Sequence, residues 1–143
     1  MNNTISILIV DDDPDDLELF IEALFEIHPS IRCHSAANGK DALLMLENFK
    51  KNQLPDYIFL DLNMPGMNGK QCLIEIKKDK VLHEIPVIIY TTSSIEEDVQ
   101  ETRHLGASFF LTKPEKFEEL KNALSYIIDG HKIRQGRYSI KRS

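Results

Sequence analysis

An apolar run, Tyr57-Ile58-Phe59-Leu60, leads straight into Asp61, and Pro65-Gly66 and Asn68-Gly69 follow it. That pattern predicts a buried strand ending in a carboxylate, a tight turn, and the start of a helix. A carboxylate at the C-terminal tip of a strand stands where open α/β sheets place their chemistry. Matching groups follow other apolar runs: Asp11-Asp12 the first, Thr91 the fourth and Lys113 the fifth. If the strands run parallel, their C-terminal ends share one edge, and Asp11, Asp12, Asp61, Thr91 and Lys113 converge there. Three clustered carboxylates repel one another unless a cation neutralises them. Hard oxygen ligands of this kind favour Mg2+, which retains water ligands and leaves room for a further oxygen. Taken singly, each residue has a plainer explanation: a turn or cap for the acids and the hydroxyl, a surface charge for the lysine. Asp13 is itself such a cap. The combination on one sheet edge is what points to chemistry.

Five strands must deliver these groups. Residues 5–10 form a short apolar strand whose one polar member is Ser6. Asp13 then suits an N-cap and Pro14 the first turn of a helix, whose Leu17, Phe20, Ile21 and Leu24 share one face. Residues 31–36 are more polar and suit a sheet edge, and Asn38-Gly39 opens a helix burying Ala42, Leu43, Leu46 and Phe49. After the third strand, Asn68 and Gln71 have capping-box spacing for a third helix, with Cys72, Leu73 and Ile76 inward. Residues 87–90 are the fourth strand, and Ser94 and Glu97 repeat the capping-box spacing for a helix over 95–105, stopped by Gly106. Its apolar face is thin, with little beyond Ile95 and Val99. Residues 108–111 are the fifth strand. A last helix over 115–129 turns Phe117, Leu120, Leu124, Ile127 and Ile128 inward. Strands this apolar, alternating with helices, predict a parallel sheet covered on both faces.

The motifs Val10-Asp11-Asp12, Asp61-Leu62-Asn63-Met64-Pro65-Gly66, Pro86 through Thr92, and Lys113-Pro114 lie within residues 5–130. In combination they resemble the response-regulator receiver domain, the aspartate-phosphorylated half of two-component signalling. The resemblance implies a doubly wound, flavodoxin-like α/β fold with five helices on two faces. The strand order 2-1-3-4-5 is the family's and comes from the resemblance, not from periodicity in this sequence. Residues 1–130 would be the receiver domain and 131–143, with five Lys/Arg and no acid, a solvated basic tail.

By the same resemblance, this protein would be cytoplasmic, and a sensor histidine kinase would pass a phosphoryl group from its phosphohistidine to Asp61. Side chains of Asp12 and Asp61 and the backbone carbonyl of Asn63 would hold Mg2+, with Asp11 acting through bound water. Lys113 would pair with Asp61 and then with the phosphoryl oxygen, and Thr91 would hydrogen-bond that group. Thr91 and Phe110, three residues before Lys113, would form the switch, although the family's aromatic is often Tyr. Thr92 stands where a small residue is usual. The switch would act on the surface of helix four, strand five and helix five, through which a downstream protein target or a second copy would dock. Such a protein is a phosphoacceptor with Mg2+-dependent self-phosphorylation and dephosphorylation chemistry, not an enzyme acting on a separate substrate. Two other readings stay open: a phosphorelay intermediate, and a receiver-like interaction module without phosphate turnover. Tyr90-Thr91-Thr92-Ser93 and the Asp-rich first helix are similar to regulators paired with phytochrome-type kinases.

The totals agree with one acidic domain. The chain has 143 residues and a net charge of −6, which argues against general nucleic-acid affinity. No apolar run nears the ~20 residues of a membrane span, and the first residues lack the pattern of a signal peptide. Cys33 and Cys72 make no CxxC and are read as free thiols of a reducing compartment. The five histidines show no zinc spacing and are expected at surfaces and loops, with no phosphodonor role. Neither a P-loop nor a GxGxxG is present. A haloacid-dehalogenase-type phosphatase would want a second acid where Asn63 stands. Asp15, Asp16, Glu18 and Glu22 are expected as solvated charge on the first helix, the first two favourable at its N-terminus.

Overall fold

The computed structural model describes residues 4–130, so the expected basic tail over 131–143 lies outside the described residues. The chain alternates β1 (Ser6–Val10), α1 (Pro14–Ile27), β2 (Arg32–Ala36), α2 (Gly39–Asn48), β3 (Tyr57–Leu60), α3 (Gly69–Lys78), β4 (Val87–Thr91), α4 (Glu96–His104), β5 (Phe109–Thr112) and α5 (Phe117–Ser125). Every strand pairing is parallel, and the order is β2-β1-β3-β4-β5. The register sets Val10 beside Leu60 and Leu60 beside Ile89, so the residues that follow β1 and β3 emerge side by side.

Two apolar layers hold the sheet. Ile7, Ile9, Phe59, Ile88 and Leu111 face α1 and α5, where Phe20, Leu24, Leu120 and Leu124 pack on them. Leu8, Val10, Ile58, Leu60 and Ile89 face the other way, onto Leu46, Leu73, Ile76 and Val99. β1 and β3 are buried on both faces, as their unbroken apolar runs require. β2 is the polar edge, with Arg32 and Ser35 exposed.

The helix starts follow the predicted caps in three of the four cases where one is predicted. Asp13 Oδ1 accepts from Asp15 N and Asp16 N, Asn38 Oδ1 accepts from Asp41 N, and Asn68 with Gln71 closes a full capping box. The fourth differs. α4 begins at Glu96 after Ile95, and no side chain caps it. Ser93, not Ser94, supplies the local hydroxyl: its Oγ accepts from Ile95 N and donates to Asp98 Oδ2 at 2.7 Å. That bond fixes the entry to α4 and turns Ile95 outward, 61% exposed, against the expectation that it would be buried. Val99 and Thr102 are then the buried residues of α4. Thr102 tolerates burial because its hydroxyl donates to Asp98 O at 2.8 Å. The last helix also differs, running Phe117–Ser125 and widening into a π turn over Tyr126–Gly130. His34 lies in β2, half-buried, with its ring 4.9 Å from that of Phe49.

Candidate functional site

The ends of β1 and β3 bring their acids together through the sheet's own hydrogen bonds. Asp11 N donates to Ala36 O and Asp61 N to Val10 O, each at 3.0 Å. Asp11 is fully buried and Asp61 nearly so, while Asp12 is exposed. One carboxylate oxygen from each of Asp11, Asp12 and Asp61 lies within 4.8 Å of the others. Asp61 Oδ1 accepts from Asn63 N at 3.2 Å, and Asp11 Oδ1 accepts from Asp13 N at 3.0 Å.

Lys113, one residue beyond β5, supplies the cation of this cluster. The expected partner is Asp61, but its Oδ2 is the more distant, at 3.4 Å. The nearer oxygens are Oδ2 of Asp11 and Oδ2 of Asp16, both at 2.7 Å. Asp16 is therefore not the solvated helix charge that the sequence predicts. The Asp13 cap orders the first turn of α1, and that turn carries Asp16 to the lysine. Its one sequence signal is position, three residues beyond a cap at the rim of the site. The ring of Tyr90 closes another side of the ammonium, its centroid 5.4 Å away.

The charges respond to this setting. Burial pushes the Asp11 carboxyl up to about 6, against the opposing pull of Lys113 and the Asp13 N–H. Burial also works against the Lys113 ammonium, but the oxygens of Asp11 and Asp16 and the charge of Asp61 outweigh it and hold it above its ordinary 10.5. Three carboxylates thus share one ammonium, and Asp12 adds a fourth negative charge to the cluster without reaching the lysine. Excess negative charge, four carboxylates against one ammonium, is what a divalent cation would relieve. Asp11, Asp12 and Asp61 fit that role.

Thr91 ends β4 fully buried, and its hydroxyl accepts from Asn63 Nδ2 at 3.4 Å. The Asn63 side chain therefore reaches across to β4, a contact the sequence reading does not include. Thr91 O also accepts from Lys113 N at 2.7 Å, fixing the lysine's backbone beside the hydroxyl. Phe110 is 2% exposed and shares an apolar cluster with Val99 and Ala107, so its ring points inward beneath α4. Next to the site, Lys70 on α3 reaches Asp98 and Glu101 on α4, each at 2.7 Å.

Gly69 is the structural residue that sequence reasoning assigned only to a helix start. A Cβ there would stand 2.6 Å from Leu62 Cα and closer still to the Asp61 carbonyl. The first turn of α3 can lie against the Asp61 backbone only because position 69 has no side chain. Asn68-Gly69 reads equally well as an ordinary helix start, so nothing local signals the close approach.

The profile of the response regulator receiver domain matches residues 7–125 of this chain. Protein PilH of Pseudomonas aeruginosa is 36% identical over 124 residues, which are 87% of this chain and 98% of PilH. The phosphorylated cyanobacterial phytochrome response regulator RcpA superposes with a TM-score of 0.82 at 27% identity, covering 92% of this chain and 99% of RcpA. The Mn2+-bound form of response regulator Rcp1 gives a TM-score of 0.75 at 29% identity, over 92% of this chain and 99% of Rcp1.

Proposed function

Because the chain belongs to the response regulator receiver family, we propose that Asp61 accepts a phosphoryl group from a phosphohistidine on a sensor histidine kinase. A carboxylate oxygen of Asp61 attacks phosphorus, the P–N bond breaks, and the imidazole nitrogen keeps the bonding electrons. Mg2+ is the cation of choice for the side chains of Asp11, Asp12 and Asp61 and the Asn63 carbonyl, and it would supply charge neutralisation at the transferred oxygens. Lys113 stabilises the same charge from the other side, and Thr91 O–H donates to a phosphoryl oxygen. The observation that carries this reading is the convergence of Asp11, Asp12 and Asp61 within 4.8 Å, with a lysine ammonium inside the cluster. Further support comes from two relatives, RcpA in phosphorylated form and Rcp1 with Mn2+ bound. Free thiols at Cys33 and Cys72 and the lack of a membrane-length apolar helix among the described residues suit a cytoplasmic regulator.

The same site supports self-phosphorylation by small donors and Mg2+-dependent loss of the phosphoryl group. The switch is Thr91 with Phe110. Drawing the Thr91 hydroxyl toward Asp61 breaks its contact with Asn63 and disturbs the packing above Phe110, so the face of α4, β5 and α5 changes toward its target or a second copy. Residues 1–130 are the receiver unit in this reading, and cutting after Gly130 is expected to leave the phosphorylation rate nearly unchanged. Treatment with acetyl phosphate and Mg2+ is expected to add one phosphoryl group by mass spectrometry, and Asp61→Asn to abolish it. Uptake at the wild-type rate by Asp61→Asn would end this assignment, and no uptake by the wild type would favour a pure interaction module. Thr91→Ala is expected to accept phosphate yet lose the NMR shift changes at residues 95–110.

A further inference from the structure

Lys113 carries three N–H donors and meets three acids, but not equally. Oδ2 of Asp11 and Oδ2 of Asp16 lie at 2.7 Å, whereas Oδ2 of Asp61 lies at 3.4 Å. Asp16 differs from the others in kind. It is not one of the three acids whose oxygens cluster within 4.8 Å, so a cation among those three would leave it untouched. Its side chain is 30% exposed, against none for Asp11 and 6% for Asp61, so water can replace the lysine when the contact opens. Its backbone is fixed independently, by the N–H that donates to Asp13 Oδ1. The lysine is therefore held toward α1 by a residue with no other task at the site.

We infer that Asp16 is a positioning residue for Lys113: its carboxylate parks the ammonium on the α1 side, and it must yield the ammonium before Lys113 can engage a phosphoryl group on Asp61. The inference rests on the proposed phosphoacceptor role of Asp61. A cation drawn into the carboxylate cluster neutralises Asp11 and Asp61, weakening their hold on the lysine, and leaves Asp16 as its principal competitor. Incoming phosphoryl oxygens then compete with Asp16 for the same donors. The charge on Asp16 also opposes an anion arriving next to the lysine. Asp16 thus tunes how strongly the site holds the phosphoryl group, while contributing nothing that would hold metal in place by direct contact.

The test is the binding of beryllofluoride, a phosphoryl mimic, at saturating Mg2+ by 19F NMR and calorimetry, with Mn2+ affinity measured separately. Asp16→Asn is expected to tighten beryllofluoride binding about threefold to fivefold, the scale of a partly exposed charge pair. The same variant is expected to weaken Mn2+ binding slightly, since a nearby negative charge is gone. Asp16→Glu, which restores the carboxylate, is expected to return both values toward wild type. Opposite signs for anion and cation separate this role from a structural one, because loosening the site weakens both. Equal or weaker beryllofluoride binding by Asp16→Asn, with the wild type binding normally, would overturn the inference alone. Failure of the wild type to bind beryllofluoride would remove the phosphoacceptor reading, and this inference with it.

Discussion

Lys70 and Lys113 each face two carboxylate oxygens at 2.7 Å, in opposite settings. Lys70 ties α3 to α4 at the surface, its side chain 29% exposed, with Asp98 and then Glu101 raising its affinity for a proton. Lys113 is 9% exposed, and two of its three acids, Asp11 and Asp61, are buried away from water. The short contacts look alike, but what removal would leave behind differs. Without Lys70, its acids return to solvent. Without Lys113, Asp11 and Asp61 remain buried, facing each other. Surface pairs contribute little because water competes for both partners, while a broken buried pair strands a charge.

The largest effect should therefore come from Lys113→Met. In metal-free buffer it is expected to cost about 3 kcal/mol of stability in urea denaturation, the scale of a broken buried pair. Added Mg2+ should return part of that loss, and a variant indifferent to Mg2+ would count against the carboxylate cluster as a cation site. Gly69→Ala should follow at about 2 kcal/mol, from forcing a methyl against the Leu62 and Asp61 backbone. Thermal denaturation measures that cost, and a slower acetyl phosphate reaction would show that α3 holds Asp61 in position.

Proton linkage sharpens the contrast further. Asp11 moves from 3.8 to about 6, so between those values the folded metal-free protein holds a proton the unfolded chain has released. Its contribution to stability should fall as pH rises through that window. Divalent-metal affinity should fall as pH drops below about 6, roughly tenfold per unit at the limit, and calorimetry across that range checks it. Asp98 behaves oppositely. Lys70 and then Ser93 hold its carboxyl below 3.8, so its contribution is present above 3.8 and is lost as pH falls through the lower folded value. Lys70→Met, the mildest change, should cost about 0.5 kcal/mol, be masked by high salt, and flatten that acid limb.

The distinction between these lysines was only half legible in the sequence. Lys113 could be placed because it follows an apolar strand and is succeeded by Pro114, and strand ends of a parallel sheet share one edge. Lys70 gave no signal, because its partners lie more than twenty-five residues away on another helix. Asp16 was misjudged for a related reason. An acid in the first turn of a helix already has a satisfactory local explanation in the helix dipole, and nothing in the spacing tells which way it turns. Ile95 failed differently: a rule built on Ser94 lost to a competing local bond between Ser93 and Asp98.

What the sequence determined by itself was whatever depends on periodicity and chain order. The alternation of apolar strands and amphipathic helices set the parallel architecture, and through it the gathering of Asp11, Asp12, Asp61, Thr91 and Lys113 at one edge. The caps at Asp13, Asn38 and Asn68 were equally local, since each satisfies backbone donors within three residues. Only the tertiary structure decided how the charges are shared. Whether Lys113 leans toward Asp16 or Asp61 is a competition among oxygens within ångströms of one another, settled by the burial of Asp11, the course of α1 and the ring of Tyr90. The close seat of α3 on Gly69 belongs to the same class. Pattern fixes which residues reach the edge, because it follows from backbone geometry. Distances at the edge follow from packing among segments far apart in sequence, which no local spacing encodes.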